Sequence, residues 1–149
     1  MFTLQINYES YTVLLYIKME LGKSSLKRWI RKNRLAEQRD PSTIRTWFKQ
    51  IVSAVEYIHK HNTMHRDLKP GNILVISDDV VKICDLGIAT MIDSGDGALT
   101  FRTDIGTPLY KAPEQMLKCQ VYDNRVDIYS MGLILLEMSA VMTNKTRGE

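Results

Sequence analysis

Within His65-Arg66-Asp67-Leu68-Lys69-Pro70-Gly71-Asn72 an acid, an amine and an amide stand within six residues, and a second acid follows at Asp85. Carboxylate and amide oxygens are the hard donors that a magnesium ion takes. A lysine beside them places a positive charge where a transferring phosphoryl group would need one. These groups together suit one task, which is to hold a phosphate, its magnesium ion and a hydroxyl nucleophile in one place.

Such a loop has to be positioned by regular elements on either side. Ahead of it, Pro41-Ser42 opens a helix in which Ile44, Trp47, Phe48, Ile51, Val52, Val55 and Ile58 recur at steps of three and four, one buried stripe. His59-Lys60-His61-Asn62 ends that helix with cations at its negative pole, so His59 and His61 are expected as solvated caps. Behind the loop, 73–76 and 80–83 read as two short strands around the turn Ser77-Asp78-Asp79, a hairpin beside the loop. Further on, 126–141 is apolar on nearly every side, broken only by Asp127, Ser130 and Glu137, and is expected inside the protein with Met138 and Met142 in the core.

The remaining chain is less regular. Alternation at Phe2, Leu4 and Ile6 permits a strand, and 11–19 reads as a stronger one that stops before Gly22. Ser24 or Ser25 then caps a short helix bearing Leu26, Trp29 and Ile30, and the polar stretch 32–40 is expected as a loop. No helical period runs from 88 to 107, and Asp93-Ser94-Gly95-Asp96-Gly97 is flexible by composition. A turn-rich passage, 106–114, leads into a short helix, and 143–149 is expected to fray.

Composition bounds the class. The 149 residues fit one domain, 44% apolar and 25% charged. A net charge of +3 is too small to argue for nucleic acid, and Lys27, Arg28, Arg31, Lys32 and Arg34 read as a solvated helix face. Cys84 and Cys119 are too few and too far apart for a disulfide framework or a metal site. No run of eighteen apolar residues and no signal-peptide layout occurs, so the expectation is a soluble, cytoplasmic chain without a membrane segment.

The motif His65 to Asn72 resembles the catalytic loop of protein kinases. Asp85-Leu86-Gly87 and Ala112-Pro113-Glu114 follow it in the order that family uses. The resemblance implies an α+β, protein-kinase-like fold, mainly the helical C-terminal lobe with a remnant N-lobe strand and hinge. Residues 1–19 would end the N-lobe, 20–142 would form hinge and C-lobe, and 143–149 a tail. It also implies ATP and Mg2+ as cofactors. Asp67 would orient the attacking hydroxyl, Lys69 would neutralise the phosphoryl group, and Asn72 and Asp85 would hold the metal. Lys69 at its position looks like the serine/threonine branch. Met19 would be the gatekeeper, Glu20 and Gly22 would offer hinge backbone to adenine, and Leu74 would lie under the ring. Arg66 would pair with a phosphorylated activation-segment residue, Thr103 first and Thr100 second, while Thr107 would bond to Asp67 and Lys69. Asp127 would accept backbone N–H bonds from the loop, and Leu86 would fill the apolar place of the usual Phe.

Flanking strings narrow the likeness. Tyr16-Ile17-Lys18-Met19-Glu20-Leu21, Leu26-Lys27-Arg28-Trp29-Ile30, Val55-Glu56-Tyr57-Ile58-His59 and Asp78-Asp79-Val80-Val81-Lys82 resemble the stress kinases that phosphorylate the alpha subunit of translation initiation factor 2, the endoplasmic-reticulum-anchored member above all. That implies this alpha subunit as a protein substrate, a kinase dimer in a full-length parent and an endoplasmic-reticulum anchor outside the chain. No Gly-x-Gly-x-x-Gly loop and no strand lysine precede Tyr11, and no arginine partner for Glu114 follows, so Glu114 is expected unpaired and the chain is expected to be part of a kinase domain. The alternative expectation is a catalytically inactive fragment acting as a binding or regulatory protein. Cys84, next to Asp85, reads as a small buried hydrophobe before it reads as a reactive thiol.

Overall fold

The computed structural model describes residues 2–7, 12–17, 20–91, 106–116 and 122–140, the first two segments by their backbone. Met19, Cys119, Met142, Thr100, Thr103, the stretch 93–97 and the tail 143–149 lie outside the described residues. Strands β1 (Phe2–Asn7) and β2 (Thr12–Ile17) pair antiparallel, Phe2 opposite Ile17 and Asn7 opposite Thr12. Strand β3 (Ser24–Ser25) runs into helix α1 (Leu26–Lys32), where Ser25 accepts the Arg28 N–H as cap and Leu26 and Ile30 are buried. A single 3-10 turn, Ala36–Gln38, interrupts the expected loop before helix α2 (Pro41–Lys60). Asp40 caps α2 by accepting the N–H groups of Ser42 and Thr43, and proline in the first turn gives up no hydrogen bond.

Ile44, Trp47, Ile51 and Val55 form the buried stripe of α2, with Phe48 half-buried beside them. Strand β4 (Thr63–Met64) leads to the catalytic-type loop, which ends in the 3-10 turn Pro70–Asn72. Strands β5 (Ile73–Val75) and β6 (Val81–Ile83) make the expected hairpin, with β3 on the outer edge of β5. Helix α2 fastens the hairpin turn: Trp47 Nε1 donates to Asp78 O at 2.8 Å, and Gln50 donates to Asp79 O while accepting from Val81 N. A two-residue strand β7 (Thr90–Met91), which no periodicity announces, pairs with β4. The 3-10 turn Pro108–Tyr110 and helix α3 (Pro113–Met116) precede helix α4 (Arg125–Ser139).

One core unites α1, α2, the β5–β6 hairpin and α4: Leu26, Ile30, Trp47, Ile51, Ile73, Ile134 and Met138 are all nearly inaccessible. Burying each such side chain is worth about 1.5–3 kcal/mol, so this core decides where the loop sits. Two expectations need correction. Helix α4 is not buried all round: Ile128 and Leu136 are about half exposed, and Tyr129 and Leu135 lie on the same uncovered side among the described residues. Arg39, in the polar stretch expected as a loop and given no role there, is 7% exposed. Its guanidinium donates to Glu137 O, Met138 O and Ala140 O, satisfying the carbonyls that the end of α4 leaves open, and to Asn33 O.

Candidate active site

Asp127, in the first turn of α4, is fully buried and carries no uncompensated charge. Its Oδ2 accepts His65 N at 2.9 Å and His59 Nε2 at 2.8 Å, and its Oδ1 accepts Arg66 N at 2.9 Å. His59 is therefore a half-buried partner of Asp127, not a solvated cap; of the two, His61, bonded to Tyr57 O, stays at the surface. Arg66 adopts φ +66°, a conformation a bulky residue rarely takes without being held. It is held at both ends, by Asp127 on its N–H and by its guanidinium Nε on Ile88 O at 2.7 Å. Buried His65 donates from Nε2 to Cys84 O and accepts Asp67 N on Nδ1, which fixes one neutral tautomer and ties the loop to the end of β6.

That frame presents Asp67 with four donor contacts. Oδ1 accepts Thr107 N and Oγ1, each at 3.0 Å; Oδ2 accepts Lys69 Nζ at 2.5 Å and Asn72 Nδ2 at 3.0 Å. Lys69 also reaches Thr107 Oγ1 at 2.8 Å. Partial burial pushes the Asp67 carboxyl up, but the Lys69 hydrogen bond, the Thr107 bonds and the Lys69 charge outweigh it and hold the pKa below the ordinary value of 3.8. The carboxylate is therefore ionised at neutral pH, a weak base but a strong, fixed acceptor.

Thr107 owes its place to Gly106 and α4. Gly106 has φ +105°, and a Cβ there would meet Arg66 O at 3.0 Å, so the segment after it can lie against the loop. The turn Pro108–Tyr110 is bolted to α4, with Ser130 Oγ donating to Tyr110 O at 2.7 Å and Tyr110 OH to Glu137 at 2.9 Å. The three polar residues that break the apolar run of α4 are all buried, and each holds part of the site. Only Asp127 carried an expected role; polarity confined to three positions of an apolar helix was the available signal for the other two.

The candidate metal ligands differ in how they are held. Asn72 spends its amide N–H groups on Asp67 O and Oδ2, and among the described residues its Oδ1 accepts nothing. Cys84 N donates to Asn72 O at 2.9 Å, which sets the start of Asp85 beside Asn72. Among the described residues the Asp85 carboxylate accepts only Gly87 N, at 3.4 Å, and its backbone sits at φ +66°. Two under-used oxygen donors on adjoining segments fit a magnesium ion, which takes few protein oxygens and keeps its waters. Leu86, expected to fill an apolar place, is 55% exposed: the Asp85 turn swings it outward and no described residue covers it. Cys84 is half-buried, its thiol pushed up by burial and by the Asp85 charge.

The other predicted residues are dispersed around this centre. Leu74 is half-buried on β5, and Gly22 lies so close that a Cβ would meet Leu74 Cβ at 3.1 Å. Glu20 pairs with Lys82 across the hairpin edge. Glu114 makes no hydrogen bond or ion pair among the described residues; the Arg125 pKa is raised chiefly by the Asp123 hydrogen bond and charge, with the Glu114 charge a minor addition.

The family model described as protein kinase domain matches residues 4–146. The interferon-induced, double-stranded RNA-activated protein kinase of Rattus norvegicus is 41% identical over 128 residues, 85% of this chain and 24% of that protein. Eukaryotic translation initiation factor 2-alpha kinase 3 of Bos taurus is 41% identical over 137 residues, 85% of this chain and 12% of that protein. Among solved structures, a chain of the yeast RNA Pol II CTD kinase CTDK-1 complex aligns with a TM-score of 0.75 and 25% identity, covering 91% of this chain and 42% of that one. The chain thus spans a quarter or less of these curated relatives.

Proposed function

The chain belongs to the protein kinase domain family, and from that premise we propose that it supplies the catalytic loop of a serine/threonine kinase acting on the alpha subunit of translation initiation factor 2. The observation that carries the proposal is the single network in which Asp67, Lys69, Asn72 and Thr107 share hydrogen bonds around one carboxylate. Phosphoryl transfer through a loose transition state needs positioning and charge neutralisation more than covalent help. Asp67, ionised and fixed, orients the substrate hydroxyl and takes its proton late, as a weak base must. Lys69 keeps a positive charge beside that hydroxyl. Thr107 keeps both in register. Asn72 Oδ1 and the Asp85 carboxylate would hold magnesium, which neutralises phosphate charge when bound. Leu74 and the backbone at Glu20 and Gly22 would face adenine. The substrate assignment rests on the relatives named for that translation factor and is the finer part of the proposal.

The test is phosphate incorporation from ATP and Mg2+ into the purified alpha subunit, compared between the protein and Asp67→Asn. Loss of about 10²–10⁴-fold with nucleotide binding retained is expected. Undiminished transfer by Asp67→Asn would remove Asp67 from the mechanism. Transfer to generic serine substrates but not to the alpha subunit would leave the kinase standing and overturn the substrate. A protein that transfers nothing, wild type included, would give the binding-protein alternative the lead.

A further inference from the structure

A cavity of about 570 Å³ opens between α1, the start of α2 and the β5–β6 hairpin, within the ~300–1,000 Å³ typical of binding clefts. None of Asp67, Lys69, Asn72 and Asp85 lines it. Val75 does, and Leu74, its neighbour on β5, points to the opposite face, so the hairpin separates this cavity from the catalytic side. Trp29 and Trp47, the only two tryptophans of the chain, both line it, edge to face with centroids 5.1 Å apart. The Trp47 indole N–H is spent on Asp78 O and the ring is buried, so it backs the wall while the half-buried Trp29 supplies the apolar surface the cavity offers.

The charges of the wall are unevenly satisfied. Asp78 pairs with Lys23 at 3.6 Å, and Asp40 is occupied by the N–H and hydroxyl groups of Ser42 and Thr43. Arg28 and Lys32, one helical turn apart on the exposed side of α1, make no side-chain hydrogen bond or ion pair among the described residues. Helix α1 carries Lys27, Arg28, Arg31 and Lys32 and no acid. Like charges at Lys27/Arg31 and Arg28/Lys32 repel at this spacing, so helix stability does not account for them. A fixed aromatic wall beside two unneutralised cations is a surface complementary to apolar and acidic side chains presented together.

We propose that this cavity docks an acidic peptide segment of a protein partner, seating one apolar side chain against Trp29 and pairing two carboxylates with Arg28 and Lys32. Nucleic acid is disfavoured by the small net charge of the chain, +3.

The test is selection of a random 12-residue phage-displayed peptide library on the purified protein, with counter-selection on Arg28→Glu/Lys32→Glu. Both side chains are exposed, so the variant should melt with the wild type, and the milder Arg28→Gln/Lys32→Gln pair is available if it does not. Recovered peptides should be rich in Asp and Glu around an apolar residue. They should change the intrinsic fluorescence, because every tryptophan of the chain lines the cavity. Their affinity should fall about tenfold or more with charge reversal and stay unchanged in Asp67→Asn, which separates docking from occupation of the catalytic loop. Selection of basic peptides, of peptides that bind the reversed variant equally well, or of none that distinguishes the two proteins overturns the proposal.

Discussion

The two acids of the candidate site are built in opposite ways. Asp67 has both oxygens occupied, by Lys69, Asn72 and two groups of Thr107, on a loop whose backbone is itself held by buried Asp127. Among the described residues Asp85 accepts one long bond from within its own turn, at a positive φ that Asp and Asn tolerate better than most residues, and the next side chain points into solvent. The first region is organised by the chain alone; the second has spare oxygen and little to hold it. A general-base position must be right before substrate arrives, whereas a metal ligand gains its geometry from the ion it binds. The difference in fastening therefore fits the different tasks proposed for the two acids.

The strongest way to break the contrast is to release the fastened region. Asp127→Ala leaves the donors of His59, His65 and Arg66, at a site where the carboxylate itself is fully buried, without their acceptor. A loss of about 3–5 kcal/mol in denaturant unfolding is expected, a large part of any domain's stability. Arg39→Met keeps the length of the side chain and removes the donors that close the end of α4. It should cost about 2–3 kcal/mol, with the carbonyls of residues 137–140 left to solvent.

These two largest effects concern contacts that sequence reading handles worst. The loop from His65 to Asn72 was legible because its groups lie within eight residues and act locally. The β5–β6 hairpin and the stripe of α2 were legible because each follows one period over a short range. His59 and Asp127 are 68 positions apart, and Arg39 is 98 positions from Glu137 and 101 from Ala140. No period or turn signal encodes such pairs. Apolarity also misled at α4: hydropathy reports what a helix can bury, not what covers it, and Ile128 and Leu136 remain open on the described surface. Strands of two residues, β4 and β7, are too short for any alternation to register.

A smaller effect tests whether the Asp67 network is one unit. Thr107→Val keeps the backbone N–H on Asp67 and removes the hydroxyl that touches both Asp67 and Lys69. Stability should fall by about 1 kcal/mol, while transfer should fall roughly ten- to a hundredfold as the register loosens. Acid titration reads the same network. The Asp67 pKa is depressed below 3.8 on folding, so its stabilising contribution is complete above that value and is lost as pH falls through the lower folded value. In wild type the protein should lose this part of its stability as pH falls below 3.8, and a Lys69→Met variant, which keeps the Thr107 bonds without the Lys69 charge, should show a shallower acid-side slope.

The smallest effect on stability should come from Asp85→Asn, and it sharpens the contrast most. Asparagine tolerates the positive φ that the Asp85 turn requires, and it keeps an oxygen toward Gly87 N. No described element leans on the lost charge, so unfolding should move by less than about 0.5 kcal/mol. The same change removes a full negative charge from the oxygen pair offered to magnesium. Phosphate transfer should then fall by at least about a hundredfold, and the magnesium concentration giving half-maximal transfer should rise. If Asp85→Asn instead unfolds the protein as Asp127→Ala does, the turn is part of the frame and the division between a pre-fastened base and a metal-organised ligand is lost. If it alters neither stability nor the magnesium dependence, Asp85 has no share in holding the ion, and the spare oxygen of Asn72 must be matched by a donor from elsewhere.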